Sequence, residues 1–335
     1  MKAVIMTGLG AAADVLKVQD IPGPQLEGDR DILVRLHAAG VNPIDTKIRK
    51  RGTFHPDLTP DILGCDGAGV VEAIASGVQT LNVGDEVYFC NGGLGGPHGN
   101  YAEYIAIDER FVAKKPSSLS FVEAAAAPLV LITAWEALYD RAGLQPGQKV
   151  LIQAGAGGVG HVAIQLAKLK GAEVATTVST PEKAEFVRQL GADLVILYKE
   201  QNVIETVMNW TNGEGADIGF DTVGDKTFFE TAEAVRLYGD VVTILEPNPE
   251  QGTLKTSRLR NHRISFELML TPMLQNRITE QEDQAKMLQQ CARLFDEGKL
   301  KIHLGKTFPL EQAVAAHELL ETGSMQGKIV LTMGH

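Results

Sequence analysis

Cysteine and positive charge are both scarce in this 335-residue chain. The three cysteines, Cys65, Cys90 and Cys291, are too scattered for a disulfide framework or a cysteine-rich zinc site, so we expect buried, reduced thiols. The formal net charge of −11 argues against nucleic acid or an anionic membrane surface as a partner. A local basic site for one phosphate group is still compatible with this charge.

Long apolar runs are also absent. No run approaches the roughly eighteen residues that a membrane-spanning helix needs. The opening residues MKAVIMTGLG lack the charged-then-apolar layout of a secretory signal peptide. We therefore expect a cytoplasmic protein without a membrane partner. The composition, 44% hydrophobic and 22% charged, is typical of soluble globular proteins, and the length allows two domains.

From about Lys149 onward, short apolar runs alternate with helical patterns. The runs are VLIQ at Val150, EVATTV at Glu173, LVILY at Leu194, DIGFDTV at Asp217, DVVTIL at Asp240 and RISFELML at Arg263. Helices are expected to start near Val159, Pro181, Gln201 and Lys226, with a less regular one in 247–261. This alternation predicts an α/β fold, a doubly wound parallel sheet covered by helices.

The first part of the chain has a different pattern. Strand-like segments separated by turn residues are MKAVIM, DILVRLHAAGV, GAGVVEAIA, GDEVYFC and YAEYIAI, with little helical periodicity before Phe121. This predicts a mostly β domain. After a long helix over 280–297, one short helix and a final strand are expected to return to that domain. The predicted boundaries are 1–122 with 300–335 for the first domain and 123–299 for the second.

A glycine motif stands where the first strand of the second domain meets its first helix. Gly155, Gly157 and Gly160 have G-x-G-x-x-G spacing after the run that starts at Val150. Glycine permits the tight turn and the close approach of backbone to a pyrophosphate, while the helix N-terminus attracts the anion. The motif favours dinucleotide binding over a purely structural turn. The candidate loop residues are Gly155, Ala156, Gly157, Gly158, Val159 and Gly160.

The end of the second strand distinguishes between two cofactors. An NAD-specific fold places Asp or Glu there to accept a hydrogen bond from the ribose 2′-OH. This chain has Val178, Ser179 and Thr180 instead, so no acid repels a 2′-phosphate. Ser179 and Thr180 also suit the cap of a helix that starts at Pro181, and capping is compatible with phosphate binding.

Motifs along nearly the whole chain resemble one family. They are GVNPIDTKIR at Gly40, GCDGAGVVEAIASGV at Gly64, GDEVYF at Gly84, HGNYAEY at His98, AAAAPLVLITAWEAL at Ala124 and QPGQKVLIQAGAGGVGHVAIQLAK at Gln145. In this order they resemble the medium-chain dehydrogenase/reductase superfamily, specifically its zinc-free quinone oxidoreductase branch. The resemblance implies a GroES-like β domain that holds substrate, a Rossmann domain that holds a nicotinamide cofactor, and an active site in the cleft between them.

The resemblance also implies roles for further residues. Lys183 resembles part of the family's 2′-phosphate clamp, and Tyr198 resembles its partner on the adenosine side; the alternative for Lys183 is a solvated helix residue. Thr133 resembles a position beside the nicotinamide, unless its hydroxyl only bonds its own helix. Leu245 and Lys328 complete the candidate cofactor-binding residues, and the expected cofactor is NADPH.

Asn42, Asp45 and Lys47 are the candidate catalytic residues. Asn42 resembles the family asparagine near the nicotinamide, whose amide can donate to a substrate carbonyl; the alternative is a turn residue before Pro43. Lys47 occupies a position where related quinone reductases often have Tyr. It can polarise a carbonyl or deliver a proton, or it can be an ordinary solvated lysine.

Zinc ligands are not expected. Zinc-dependent relatives have a cysteine ligand near the position of Asn42 and a His-Glu pair after the glycine that corresponds to Gly64. This chain has Cys65-Asp66 there, with no third ligand for a catalytic zinc. The family's cluster of four cysteines for a structural zinc is missing too.

The eight histidines show no metal-binding spacing. We expect His98, His161 and His317 to be surface or packing residues. The absence of a Gly-x-Ser-x-Gly motif removes one argument for a hydrolase.

The function favoured by the sequence is zinc-free, NADPH-dependent reduction of a quinone, 2-alkenal or other enone. Conjugation makes such acceptors electron-poor without a Lewis acid. An alcohol dehydrogenase-like carbonyl reductase and a non-catalytic NADPH-binding protein are the alternatives. The expected partners are a small-molecule substrate and a second copy of the chain, because RISFELML would leave an apolar edge strand unless two copies pair.

Overall fold

Short strands form most of the first part of the chain, and strands alternate with helices from Lys149 onward. The computed structural model describes residues 1–53, 61–96, 98–323 and 325–334. It divides into two units, Met1–Leu129 with Leu270–His335, and Val130–Met269. In the described residues, no helix combines the length and the apolar character needed to cross a membrane.

The elements are as follows. The strands are β1 (Lys2–Met6), β2 (Leu16–Asp20), β3 (Asp31–Val41), β4 (Asp66–Ile74), β5 (Glu86–Cys90), β6 (Tyr104–Asp108), β7 (Ala113–Lys114), β8 (Lys149–Ile152), β9 (Glu173–Val178), β10 (Leu194–Leu197), β11 (Ala216–Asp221), β12 (Val235–Thr243), β13 (Arg263–Phe266), β14 (Leu304–Pro309) and β15 (Lys328–Thr332). The α-helices are α1 (Ala12–Val15), α2 (Pro43–Arg51), α3 (Phe121–Ala125), α4 (Pro128–Trp135), α5 (Gly158–Leu169), α6 (Pro181–Gln189), α7 (Val203–Trp210), α8 (Asp225–Ala234), α9 (Lys255–Leu259), α10 (Thr271–Leu274), α11 (Ile278–Asp296) and α12 (Ala313–Glu321). Glu109–Phe111 and Leu310–Gln312 are 3-10 helices, and Glu136–Arg141 is π-helical.

The first unit is built on a mainly antiparallel sheet. Its strand order is β14-β15-β3-β4-β5-β7, β6 also pairs with β3, and β1 and β2 form a separate antiparallel pair. The C-terminal strand β15 lies beside β3 in antiparallel register, so the tail of the chain returns to the first unit as expected. The expectation missed β14, which pairs in parallel with β15 and covers its outer edge. Most residues of β14 are exposed, so the strand has no clear alternation of buried and exposed positions.

Helix α2 contradicts the expectation of little helix before Phe121. Pro43 is its first residue, where a missing N–H costs nothing. Asp45 accepts a hydrogen bond from the backbone N–H of Asn42 at 2.8 Å, which satisfies a group that the helix leaves unpaired. The sequence Asn-Pro-x-Asp is therefore a helix start, and this local signal could have been recognised.

The second unit carries a parallel sheet in the order β10-β9-β8-β11-β12-β13. This is the doubly wound order of dinucleotide-binding folds, and it confirms the predicted fold class. Its core includes residues from neighbouring strands and helices, namely Leu151, Ala175, Ile196, Val207, Ala216 and Ala234. The run RISFELML was expected to be one strand, but β13 ends at Phe266. Its neighbour β12 ends at Thr243, which pairs with Phe266, so the two strands end together.

The structure groups residues 270–299 with the first unit, whereas the sequence assigned them to the second domain. Helix α11 packs on β7 and on the 3-10 helix at Glu109–Phe111. The hydroxyl of Tyr88 donates to the carbonyl of Leu288 at 2.5 Å, and Arg110 lies 3.4 Å from Glu282. Because these contacts join residues far apart in the sequence, the residues of α11 do not by themselves indicate them.

Candidate functional site

Strand register brings three polar side chains to one end of the first unit's sheet. Strand β3 runs antiparallel to β15 and β4, with Val41 opposite Ile329 of β15 and Gly40 opposite Asp66 of β4. The end of β3 therefore meets the starts of β15 and β4. Asn42 follows β3, while Lys328 and Asp66 are the first residues of the other two strands.

The three side chains contact one another and are buried. The ammonium of Lys328 donates to Oδ1 of Asn42, and Nδ2 of Asn42 donates to Oδ2 of Asp66 at 2.8 Å. Lys328 Nζ lies 3.7 Å from the same Asp66 oxygen. Because lysine can only donate, it fixes which end of the Asn42 amide faces it. The backbone N–H of Leu129 donates to the other Asp66 oxygen at 2.8 Å.

Burial determines the electrostatics of this group. Loss of water lowers the pKa of Lys328, against the attraction of Asp66 and Asp45. Loss of water raises the pKa of Asp66, although Lys328, Asn42 and Leu129 favour the charged carboxylate. Each charge is therefore stabilised mainly by the other.

Asp45 lies beside this group and is also fully buried. Its Oδ2 accepts from the Asn42 N–H at 2.8 Å and from the Tyr101 hydroxyl at 3.0 Å, and Cys65 Sγ lies 4.0 Å from Oδ1. Burial raises the pKa of Asp45 to about 7, although the Asn42 and Tyr101 hydrogen bonds oppose the rise.

Lys47 differs from the other two candidate catalytic residues because it lies on the exposed face of α2. Partial loss of water lowers its pKa, and the charge of Arg51 lowers it further. The structure thus brings Asn42 and Asp45 together with Lys328, which the sequence had grouped with the cofactor residues. It leaves Lys47 on another face of the same helix.

Several buried polar residues near Asp45 were missed from the sequence. Tyr101, Arg49 and His317 are fully buried, and His317 Nε2 lies 3.2 Å from the Tyr101 hydroxyl. His317 was expected to be a surface or packing residue, and no local pattern predicts its hydrogen bonds. Asp66 had been considered only as a metal ligand. The signal available for it was an acid inside a run of Gly, Ala and Val.

In the second unit, the glycine loop lies between β8 and α5 as predicted. A side chain on Gly155 would approach Thr176 Oγ1 to 2.1 Å, and one on Gly160 would approach the Ala154 carbonyl to 2.3 Å. These positions therefore need glycine for the loop to pack on the neighbouring strand. Gly157 caps α5, whose first turn carries no acidic residue. The loop leaves the helix N-terminus suited to an anion.

A buried hydrogen-bond series supports the start of this loop. The Ala154 N–H donates to Thr177 Oγ1 at 3.0 Å, and Thr177 donates to Gln153 Oε1 at 2.7 Å. Gln153 in turn donates to Thr231 Oγ1 of α8 at 2.8 Å. His161, on the first turns of α5, is buried, with Nδ1 2.9 Å from the Gly157 carbonyl, which agrees with a packing role.

The other candidate cofactor residues follow the carboxyl ends of neighbouring strands. Ser179 and Thr180 follow β9, Tyr198 follows β10, and Leu245 lies two residues beyond β12. Thr180 Oγ1 accepts from the Lys183 N–H at 3.3 Å, so Thr180 caps α6 as the alternative predicted. Ser179, Thr180 and Lys183 are half-buried, and the Tyr198 side chain is 50% exposed. Ligands of parallel α/β sheets bind at this edge.

Thr133, the remaining cofactor candidate of the second unit, lies on α4 and is buried.

Cys65, Cys90 and Cys291 are buried free thiols. His98 is exposed. Within the described ranges, no three His, Cys, Asp or Glu side chains are grouped so that they can hold a metal ion.

Comparison with known proteins connects both units to characterised families. Residues 28–117 match the alcohol dehydrogenase GroES-like domain, and residues 190–331 match a zinc-binding dehydrogenase domain. The chain is 34% identical to 2-methylene-furan-3-one reductase of Solanum lycopersicum, over 99% of this chain and 79% of that protein. It is 31% identical to quinone oxidoreductase 1 of Escherichia coli, over 92% of this chain and 93% of that protein.

Solved structures give the same grouping. An alcohol dehydrogenase superfamily protein from Novosphingobium aromaticivorans matches with a TM-score of 0.92 and 34% identity, over 100% of both chains. The Escherichia coli quinone oxidoreductase solved in complex with NADPH matches with a TM-score of 0.86 and 28% identity, over 99% of this chain and 100% of that one.

Proposed function

Because this chain belongs to the medium-chain dehydrogenase/reductase superfamily, in its quinone oxidoreductase-like branch, and is an oxidoreductase of that type, we propose that it reduces conjugated carbonyl compounds. The proposed substrates are quinones and enones, including 2-alkenals. The proposed reductant is NADPH, and no zinc takes part. The relatives named as a quinone oxidoreductase and a furanone reductase support this substrate class.

The observation that carries the proposal is the contact of Lys328 with Asp66 and Asn42. A zinc-binding dehydrogenase implies a zinc ion held by at least three protein ligands. Here Asn42 supplies an amide, and Asp66 already pairs with an ammonium 3.7 Å away. The residues present therefore do not fit a catalytic zinc. Quinones and enones accept hydride without a Lewis acid, because conjugation already makes the accepting carbon electron-poor.

Residues of the second unit would hold the cofactor. Gly155, Gly157 and the N-terminus of α5 suit its pyrophosphate, and Lys183 suits its 2′-phosphate. The related enzyme solved with NADPH supports this choice. Thr133, Tyr198 and Leu245 remain candidate contacts. When bound, the nicotinamide would supply the hydride.

Reduction of an enone adds a hydride to the β-carbon and a proton to the α-carbon. Negative charge develops on the carbonyl oxygen between these events, and a nearby donor stabilises it. Asn42 Nδ2 carries two hydrogens, of which one bonds Asp66, and we assign the second to the substrate oxygen. Lys47 is exposed on another face of α2, so the α-carbon takes its proton from solvent water. Asp45 acts through Asn42.

A substrate panel tests the proposal. Quinones, enones, saturated aldehydes and alcohols are each mixed with the protein and cofactor, and the absorbance of reduced nicotinamide is followed. We expect turnover of quinones or enones with NADPH, unaffected by a chelator. Turnover of only saturated aldehydes or alcohols would instead identify a carbonyl reductase. NADPH binding without turnover would identify a binding protein, and loss of activity with a tightly bound zinc would contradict the metal-free site.

We also propose that two copies pair through β13. This strand is at the edge of the parallel sheet, and Phe266 at its end is 60% exposed. Leu268 and Leu259 nearby in sequence are 41% and 70% exposed. An edge strand that carries an exposed apolar side chain favours pairing with a second chain across a two-fold axis.

A further inference from the structure

A series of buried side chains connects Asp45 with helix α12. Tyr101 donates to Asp45 Oδ2 at 3.0 Å, His317 Nε2 lies 3.2 Å from the Tyr101 oxygen, and Arg49 Nε donates to His317 Nδ1 at 3.3 Å. Arg49 also donates to Glu321, whose side chain is 24% exposed. Tyr101, His317 and Arg49 are fully buried. We call Arg49, His317, Tyr101 and Asp45 the α12–α2 series.

The chemistry of Arg49 fixes the direction of every hydrogen bond in the series. A guanidinium only donates, so His317 Nδ1 must accept and the ring proton must be on Nε2. Nε2 then donates to the Tyr101 oxygen, which leaves the Tyr101 hydrogen for Asp45. Burial, with the charge of Arg49, lowers the pKa of His317 to about 3, so the ring stays neutral.

The series cannot carry protons between Asp45 and the surface. Arg49 stands between His317 and Glu321, and a guanidinium does not release its proton in proteins. The two described hydrogen-bond partners of His317 are Arg49 and Tyr101, and neither can replace a proton that the ring passes inward. Holding Asp45 in place is the remaining role.

Asp45 transmits this constraint to the start of α2. The oxygen that accepts from Tyr101 also accepts from the Asn42 N–H at 2.8 Å. Asn42 is the residue whose amide joins Lys328 to Asp66. The backbone around the series is shaped for it: Gly64 has φ of +98°, and a side chain there would approach the Tyr101 ring to 2.4 Å.

We propose that His317 and Tyr101 are positioning residues that orient Asp45, and through it Asn42, for reduction of the conjugated carbonyl. This inference rests on the proposed function. The other ionisable groups that face Asp45 are Asp66, Lys328 and Cys65. None of them lies in the series, so a variant at His317 leaves their own contacts in place.

Kinetics of two His317 variants test the role. His317→Phe removes the donor to Tyr101, and His317→Gln retains an N–H donor. We expect His317→Phe to lower kcat for an enone about tenfold, the effect of one misplaced hydrogen bond, with KM for NADPH unchanged. His317→Gln should recover most of this loss. Lys50→Met is the matched control, because Lys50 pairs with the same Glu321 at 3.3 Å but is half-exposed and outside the series. A folded His317→Phe protein with unchanged kcat would overturn the proposal.

Nitrogen NMR of histidine-labelled protein tests the series independently of turnover. The His317 signal, assigned by its loss in His317→Gln, should show a neutral ring protonated on Nε2 down to about pH 5, and Tyr101→Phe should shift its Nε2 resonance. A ring that titrates near the ordinary histidine pKa, or carries its proton on Nδ1, would overturn the series. If the unmodified protein turns over no acceptor, the proposed function fails, while this spectrum still decides whether His317 holds Tyr101 as described.

Discussion

Lys328 Nζ lies 3.7 Å from Asp66 Oδ2, and both side chains are almost completely removed from water. Neither charge is stable there by itself, because desolvation disfavours both. Asn42 contacts both partners, because its Oδ1 accepts from Lys328 and its Nδ2 donates to Asp66. A fixed, internally neutral group therefore stands at the end of the sheet where β3 meets β4 and β15.

Removal of Lys328 should be costly in stability. Lys328→Met leaves the Asp66 carboxylate buried without its cation, so we expect the free energy of unfolding at neutral pH to fall by about 3–5 kcal/mol. Adding Asp66→Asn removes the uncompensated charge and should recover part of that loss. Denaturant unfolding of both variants measures the difference. A double variant less stable than Lys328→Met would contradict the pairing.

Asp45 should make stability depend on pH. Its pKa is about 7 in the folded protein and about 3.9 in an unfolded chain. The folded state therefore binds more protons between these values, and this contribution to stability decreases as pH rises through the window. Asp45→Asn lacks this contribution. As pH rises through the window, the free energy of unfolding of the variant should therefore increase relative to that of the unmodified protein, by up to about 1.4 kcal/mol per pH unit. A difference in unfolding free energy between the two proteins that stays constant across several pH values would disprove this.

Lys183 should discriminate between the two nicotinamide cofactors. A charge-assisted hydrogen bond contributes about 1.5–3 kcal/mol, so Lys183→Ala should weaken NADPH binding about ten- to a hundredfold and leave NADH nearly unchanged. Lys226→Ala is a control in the same unit, since Lys226 pairs with Glu230 on the surface of α8. Titration by fluorescence gives both affinities. Equal affinity of the unmodified protein for both cofactors, or equal losses in the variant, would exclude the phosphate clamp.

Light scattering should show a dimer, with twice the chain mass of 36.0 kDa. Phe266→Asp places a charge on the exposed end of β13 and should shift the protein toward monomer. Val83→Asp changes a residue of similar exposure, 61%, in the first unit and should leave the mass unchanged. A monomeric unmodified protein at micromolar concentration would rule out the β13 interface.

The sequence predicted the sheet of the second unit well, because the pattern that predicts each strand or helix lies within that element. Each strand is a short apolar run followed by a helical pattern, and the glycine spacing places Gly155 and Gly160 where no side chain fits. The predicted end of β13 was wrong, because the length of β13 depends on that of β12, which lies beside it in the sheet.

The candidate site in the first unit was only partly predictable. Asn42 and Asp45 lie in one short motif, whereas Tyr101 is 56 residues from Asp45 and His317 is 216 residues from Tyr101. Such partners are brought together by strand and helix packing. Lys328 was selected from the sequence, but its contact with Asn42 follows from the register between β15 and β3.

The most direct test of the proposed reduction is transfer of deuterium to an enone from NADPH that is labelled at C4 of the nicotinamide. The unmodified protein, without added metal, is incubated with each of the two C4-labelled stereoisomers, and the saturated ketone is analysed by NMR. We expect deuterium at the β-carbon from one stereoisomer and a solvent proton at the α-carbon. Deuterium at the carbonyl carbon, or no product with either labelled stereoisomer, would contradict the proposed reduction.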